Sequence, residues 1–416
     1  MVLGGGVAGV MTAYFLARLG HAVTVIERRP GAALETSYAN GCIVHASETM
    51  PWSRPGMPLK ILKWLGREDA PVLLRTSAIP KMWRWGLGFA RNCTQARYRR
   101  NTLANLRLAL HSLEAFAEVR ADTDLAYDHG NGTLMIFDDR AALDNAVRMF
   151  DELTEFGLSH QALDAAGCVD VEPALQTTGS GLAGGLRFRD DEVGDCHKFT
   201  LGVAERCRAM GVEFHFDTTI SGLEVRQGKI AAVATDRGPI AGERFVVALG
   251  SYSPLLLRRL GITVQIYPVK GVSITVSTED WEGAISTPIL HDSRMFGLAP
   301  LGGRLRAAGS AEIGGYDATP NRVRCQAIVD NVISVFPDFA RCYDPETAEF
   351  WAGLRPMTPA GTPYLGATPI ANLFINAGHG HLGWTLGCGS GKVVANIVEG
   401  RPPGIDLDRL TLERAW

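Results

Sequence analysis

Val2 to Glu27 reads VLGGGVAGVMTAYFLARLGHAVTVIE, and this stretch decides the fold. Val2 and Leu3 close a short apolar run, and Gly4, Gly6 and Gly9 stand in the spacing G-x-G-x-x-G. Apolar residues continue to Leu19 before Gly20 interrupts them, and a second apolar run, Ala22 to Ile26, ends on an acid, Glu27. The pattern predicts strand, glycine turn, helix and second strand. The opening strand, Met1 to Leu3, is shorter than the usual ~5 residues, which leads us to expect a start that has been trimmed or assigned late.

Each part of this stretch has a task in binding a dinucleotide. Gly4 permits the sharp turn, Gly6 lets the backbone approach a pyrophosphate with no Cβ in the way, and Gly9 lets helix and strand pack closely. The helix start, with the backbone N–H groups of Val7 and Ala8, offers partial positive charge to phosphates. Glu27 can accept hydrogen bonds from a ribose diol, which favours an adenosine ribose without a 2'-phosphate. Glycine-rich turns are common, so the strand before, the helix after and the acid at the right distance carry the reading.

At 416 residues, 46% hydrophobic and 20% charged, the chain has room for about two domains. A net charge of -3 argues against nucleic acid as the main partner. The cysteines at 42, 93, 168, 196, 207, 325, 342 and 388 form no C-x-x-C pair. That usage predicts reduced thiols in a cytoplasmic protein, with neither a zinc site nor a disulfide framework. No run of about 18 apolar residues reads as a membrane span. Met1 to Ala17 is uncharged but has no basic segment before it, so it reads as fold and not as a signal peptide.

Beyond Glu27 come the turn Arg28-Arg29-Pro30-Gly31 and then LETSYANGCIVHASE, whose Thr36, Ser37, Asn40 and Gly41 would let the backbone pass close to a flat ligand. From Arg54 to Arg100 eleven bases face two acids, Glu68 and Asp69, with Trp52, Trp64, Trp83 and Trp85 within or beside them. Such helices suit an anionic membrane surface, or equally a solvated face over a core. Leu103, Leu106, Leu110, Leu113 and Phe116 share one face of a helix predicted over Thr102 to Arg120, a core pattern. A hairpin arm is expected at Gly130 to Phe137, and helices at Ala141 to Phe156 and Thr200 to Met210.

Strands within Val212 to Gly250 imply that the chain returns to finish the nucleotide domain, with FVVALGSYS bringing Gly250 close to the cofactor. From Val264 to about Phe350, period-two runs predict an antiparallel sheet in a second domain. Near the C-terminus NLFINAG reads as a strand, GHGHLGW as a glycine loop and Thr385 to Val398 as a helix. A helix start fed by a glycine loop favours negative charge, such as that on the N1 and C2 oxygen of a reduced flavin.

Over nearly its whole length the chain resembles the small subunits of bacterial D-amino acid dehydrogenases, within the wider D-amino acid oxidase and glycine oxidase group of FAD proteins. The resemblance rests on GGGVAGV, PGAALETSYAN, PWSRPGMPLKILKW, GDCHKFT, VVALGSYS and YPVKG, and above all on GLRPMTPAGTPYLG followed by NAGHGHLGWTLGCGSG. It implies an α/β fold in which a Rossmann-like FAD-binding domain (1–50, 160–250 and 351–416) is interleaved with an α+β substrate domain on an antiparallel sheet (51–159 and 251–350). It also implies noncovalent FAD, with Arg355, Pro356 and Met357 where covalent relatives carry a cysteine nearby.

By position, Gly4, Gly6, Gly9 and Glu27 match the FAD motif, with Val7, Ala8 and Arg28 beside it, and Thr36, Ser37 and Asn40 match the turn beside the flavin. Ile220 follows the strand where relatives contact adenine, and Gly378, His379, Gly380, His381, Leu382 and Gly383 match the loop at the pyrimidine end. Arg355 matches the arginine that holds the substrate carboxylate, and Lys270, in P-V-K-G, stands where relatives place a pocket-facing base, or equally is a solvated lysine. Departures at Cys42, Ile43, Val44 and His45, where relatives read ANAG and a small or polar residue, make His45 and Glu48 candidate specificity residues. His381 replaces a common threonine.

The implied reaction is oxidative deamination of a D-amino acid to a 2-oxo acid and ammonia, with hydride passing from Cα to flavin N5. Electrons would go to a quinone or other membrane acceptor, from an enzyme that is cytoplasmic or peripheral on the inner membrane. Hydride transfer needs a neutral amine but no strong base at Cα, and no Ser-His-Asp set, paired carboxylates or metal-spaced histidines stand out. An FAD oxidase or dehydrogenase of glycine or a cyclic imino acid such as D-proline or hydroxyproline is the near alternative. A noncatalytic FAD-binding subunit is the alternative of another class. A nicotinamide-only dehydrogenase leaves the GHGHLGW loop without a task.

Overall fold

The computed structural model describes residues 1–64, 68, 71–178 and 181–412, so Arg67 and Asp69 of the basic segment lie outside the described residues. The opening stretch forms β1 (Val2–Leu3), α1 (Val7–Arg18) and β2 (Thr24–Ile26), with the two strands parallel. Gly4 has φ +110°, and a Cβ there would lie 2.6 Å from the Ala248 carbonyl oxygen. A Cβ on Gly9 would lie 1.9 Å from the Gly4 oxygen, so only glycine lets the helix begin this close to the strand. Gly20 (φ +87°) ends the helix in the left-handed region, its N–H and that of His21 donating to the Ala17 and Leu16 carbonyls.

β1 and β2 sit inside a six-stranded sheet. Phe245–Val247 pairs parallel with β1, Glu213–His215 pairs parallel with β2, Leu373–Ala377 pairs parallel with Phe245–Val247, and Tyr364–Ala367 adds an antiparallel edge. The chain thus returns to this sheet from Val212 to Gly250 as the alternation implied. The middle of that run, Ile220–Ala241, instead folds into its own three-stranded antiparallel sheet.

The long helix between α3 (Ile79–Asn92) and the Gly130–Phe137 strand is α4 (Gln95–Thr123), and α2 (Met57–Trp64) precedes both. Of the expected face of α4, Leu106 and Phe116 are fully buried, and Leu103, Leu110 and Leu113 pack half-buried against the same core. The buried surface is wider than that stripe and takes in Asn101, Asn105, Leu108, Ser112, Ala115 and Val119. The cause is the C-terminal helix Gly383–Glu399, which approaches α4 backbone to backbone. A Cβ on Gly389 would lie 2.9 Å from Ser112, and one on Gly391 would lie 2.8 Å from the Met11 backbone of α1. Small residues are needed where helices touch this closely, which is why Ser112 stands at the contact.

The second sheet has ten strands and is mixed. Antiparallel pairs join Glu349–Met357, Tyr267–Ser277, Arg304–Ile313, Phe296–Pro300 and Ile289–His291 in sequence. The path continues through Gly130–Phe137, Gly184–Val193 and Ile43–Val44. Gly184–Val193 and Glu349–Met357 therefore take their hydrogen bonds in this sheet, although the expected boundaries put most of both in the nucleotide domain. The helix Arg322–Val335 was not foreseen inside the run of strands. It is capped by the Asn321 side chain and buries Cys325, Ile328, Val329, Val332 and Val335 against the sheet's apolar cluster.

Candidate active site

A cavity of ≈ 770 Å³ is lined by residues of both large sheets. On its nucleotide side the Glu27 carboxylate accepts from Gly5 N at 2.7 Å and Arg29 N at 2.9 Å, which holds it at the mouth of the glycine turn. The start of α1 has no acid in its first turn, and the Val7 N–H donates to the neutral Ser37 Oγ at 3.1 Å, so no charge offsets its positive end. A Cβ on Gly6 would meet the Ser37 hydroxyl oxygen at 3.5 Å and nothing nearer. These features fit a dinucleotide pyrophosphate with its ribose on Glu27. The Arg28 guanidinium, paired to Glu35 at 2.7 Å, stacks 4.0 Å from the Tyr252 ring centre in the same wall.

Most residues expected at the cofactor line this cavity: Gly4, Gly6, Val7, Ala8, Glu27, Arg28, Thr36, Ser37, Asn40, Ile220, Gly250, His379, Gly380, His381 and Gly383. Three expected ones do not line it. Gly9 is consumed by the strand contact, Gly378 (φ +88°) turns against Thr358, and Leu382 is buried in the core. Thr36 and Ser251 both donate to the Leu354 carbonyl, at 3.1 and 3.0 Å, and so latch the Glu349–Met357 strand against the nucleotide domain.

Strand alternation on Glu349–Met357 puts Trp351, Gly353 and Arg355 on the cavity face. The Arg355 guanidinium donates to the Ser310 carbonyl at 2.9 Å and lies 5.7 Å from the Trp52 ring, with no carboxylate in an ion pair with it among the described residues. Burial without a counter-ion pulls its pKa down to about 10. Across the strand pair stands Gly271, where a Cβ would lie 2.1 Å from Arg355 Nη1. The glycine of Y-P-V-K-G is the slot that the guanidinium occupies.

Lys270 does not face this cavity. Its register partner is Leu354, so it points to the opposite side of the sheet from Arg355. There its ammonium meets Asp317 at 3.1 Å, Glu312 at 3.7 Å and the Thr319 carbonyl at 3.2 Å, and Glu312 is shared with Arg75.

His45, His379 and His381 do line the cavity. Burial holds them neutral, at about 3 for His45 and about 4 for the other two. His379 Nε2 pairs with Ser390 Oγ at 3.0 Å. His381 stacks on Trp52 with centroids 5.4 Å apart and donates from Nε2 to the Glu48 carbonyl at 3.2 Å. The Glu48 carboxyl, buried near Asp292 and Asp191, is pushed up to about 7, with Arg54 opposing.

Sequence reasoning did not single out Asp191, Trp52 or Gly271 for these roles. Asp191 accepts from Ala46 N (2.9 Å), Ser47 N (3.4 Å), Ser47 Oγ (2.6 Å) and Thr133 Oγ1 (2.6 Å), which fixes the turn carrying His45 and Glu48. The sequence does not mark it, since it is the middle one of three acids, Asp190, Asp191 and Glu192, in a strand that also carries Arg187 and Arg189.

Residues 1–397 match the family model described as DAO, FAD dependent oxidoreductase. A protein from Paramagnetospirillum magneticum named D-amino acid dehydrogenase is 45% identical over 416 residues, covering 100% of this chain and 98% of its own. One from Allorhizobium ampelinum with the same name is 44% identical over 414 residues, covering 99% and 97%. Among solved structures, glycine oxidase from Geobacillus kaustophilus superposes with TM-score 0.76 at 21% identity, covering 99% of this chain and 97% of that one. L-proline dehydrogenase from P. horikoshii does so with TM-score 0.75 at 18% identity, covering 97% and 96%. The fold, the cavity that joins the glycine turn to Arg355, and full-length matches on this scale lead to one conclusion: the chain belongs to the family of FAD-dependent oxidoreductases.

Proposed function

We propose that the protein oxidises D-amino acids to 2-oxo acids and ammonia with noncovalently held FAD, and passes the electrons to a quinone or another acceptor. We place it in the cytoplasm or peripherally on the inner membrane. The observation that carries this reading is Arg355, an enclosed guanidinium whose hydrogen-bond partner is a carbonyl and not an acid. A buried cation left unpaired is costly, and a substrate α-carboxylate supplies the missing counter-ion in bidentate geometry. The D-configuration is taken from the names of relatives at 44–45% identity.

When bound, FAD supplies the two-electron acceptor, taking a hydride from the substrate Cα. The residues of the chain prepare that step. Arg355 fixes the carboxylate, Gly271 and Gly353 leave space for the guanidinium and the Trp351 indole, and Trp52 with His381 closes the wall. The amine must be neutral when it reacts. The three histidines are held too low to take its proton near neutrality, whereas Glu48 lines the same cavity as Arg355 and is poised at about 7, so we assign the ammonium proton to Glu48. Noncovalent attachment is supported by Cys42, the cysteine lining the cavity, whose thiol is raised by burial and accepts from Arg306 at 3.0 Å.

The test is anaerobic: the purified protein is mixed with D-, L- and cyclic amino acids and glycine while the visible band of the oxidised cofactor is followed. Bleaching by D-amino acids that is lost in Arg355→Ala, with cofactor retained, supports the reading. Bleaching by glycine or D-proline alone moves the assignment to those substrates, and a bound cofactor that no amine bleaches sinks the enzymatic reading in favour of a binding subunit.

A further inference from the structure

The helices α2 and α3 have two working faces. Their inner sides, with Met57, Trp85 and Phe89, join one apolar cluster, and the same residues line the cavity. Their outer sides are also apolar, which is unusual for a solvated face. Leu59 is 67% and Leu62 65% exposed on α2, and Ile79, Trp83 and Leu87 are 43%, 55% and 52% exposed on α3. The spacings 59/62 and 79/83/87 put each set on a single stripe of its helix.

Charge accompanies these stripes with one sign. Neither helix contains an acid, while Lys60, Lys63, Lys81, Arg84 and Arg91 are all exposed, and none of the five is ion-paired with a described residue. Exposed Arg97, Arg99 and Arg100 follow at the start of α4. The chain as a whole carries -3, so this basic face stands against the net charge of the molecule. No helix of the described residues is long and apolar enough to cross a membrane.

We propose that the outer faces of α2 and α3 seat the protein on an anionic lipid bilayer, with Leu59, Leu62, Trp83 and Leu87 entering the headgroup region and the five bases on lipid phosphates. Apolar side chains flanked by lysine and arginine are the composition that lies in the plane of such an interface. Because the inner sides of these helices wall the cavity, docking sets that wall against the bilayer, where an apolar acceptor dissolves. The placement rests on the proposed function only for its purpose, since binding to lipid is measured without turnover.

The experiment is co-sedimentation of the full-length holoprotein with phosphatidylcholine vesicles and with vesicles rich in phosphatidylglycerol. The expected result is pelleting with the anionic vesicles, weakened by salt, and little with the neutral ones. Lys81→Glu with Arg84→Glu should lower partitioning at least about 25-fold, each base contributing about fivefold. Leu62→Ser with Trp83→Ser should lower it comparably while bleaching by substrate and reduction of a soluble dye stay unchanged, which also shows that the variants fold. Equal pelleting with both lipids, or variants that pellet like the parent, overturns the proposal. A dimer that these substitutions dissociate, with no lipid binding, overturns it in favour of a second copy of this chain. Loss of bleaching with lipid binding intact would refute the proposed reaction and leave the docking face standing.

Discussion

At the scale of single residues, the cavity is a balance of unpaired charges. Arg355 has a carbonyl for a partner, and a carboxylate should need its planar fork and not its charge alone. Arg355→Lys should lower kcat/KM by about 10² to 10³, since truncating a buried charge contact costs about 2–5 kcal/mol. The same loss should follow from Gly271→Ala, in which the methyl group occupies the guanidinium slot, and steady-state kinetics with retained cofactor absorbance checks both. Lys270 gives the contrasting case. It lies on the other face of the strand in a network with Asp317, Glu312 and Arg75, so Lys270→Met should leave kcat/KM within about twofold and lower thermal stability instead, because it leaves the buried Glu312 short of a partner. Glu48 ties the cavity to pH. With its carboxyl at about 7, the acid limb of kcat/KM should fall near neutrality, because below it Glu48 is protonated and cannot take the ammonium proton. Glu48→Gln should move that limb upward toward the amine's own pKa, and a profile unchanged in the variant removes Glu48 from the proton step.

At the scale of elements, legibility followed how local the constraint was. The β1–α1–β2 unit was readable because the reasons for Gly4, Gly9 and Gly20 lie within the unit or one strand away. Arg355 was found through the G-L-R-P phrase, but its slot at Gly271 and the reversed direction of Lys270 depend on the register between two strands far apart in sequence. The same limit explains α4, whose buried Leu106 and Phe116 are plain in the sequence, whereas the extension of its buried surface to Ser112 is set by Gly389, 277 residues later. That contact yields a prediction: Gly389→Ala and Gly391→Ala each place a methyl group within 3 Å of a neighbouring helix and should destabilise by about 1–3 kcal/mol in chemical unfolding. Gly222→Ala, where a Cβ meets nothing within 4 Å, is the control expected to change little. The helix Arg322–Val335 was missed for a different reason. Its apolar residues at 325, 328, 329, 332 and 335 have helical spacing, but they follow a long series of period-two strands that set the expectation for the segment.

For the molecule as a whole, two interleaved sheets enclose the cavity that holds Arg355, and the enclosure shifts many titrating groups at once. His45, His291, His379 and His381 are held at about 3 to 4 against an ordinary value of 6.5, each by burial first. A base lowered in the folded state binds its proton in the unfolded chain first, so its contribution is full above pH 6.5 and is lost as pH falls toward 4. Glu48 at about 7 and Asp191 at about 6 act in the opposite sense. Their folded values are raised, so their contribution is full below the ordinary carboxylate range and is lost as pH rises through 6 to 7. Among these six groups, between about pH 4 and 6.5, four histidines therefore work against two carboxyls, and the histidines win. Unfolding free energy should fall on acidification across this window by up to about 2–3 kcal/mol per pH unit, from a net of two protons at about 1.4 kcal/mol each. His379→Asn, which keeps a side-chain hydrogen bond to Ser390 within reach, should flatten the slope by about one proton, whereas Glu48→Gln should steepen it. Chemical denaturation at pH 5, 6 and 7 separates the two, and a slope that neither substitution changes would mean that the cavity groups keep their ordinary values and that the enclosure is open to water.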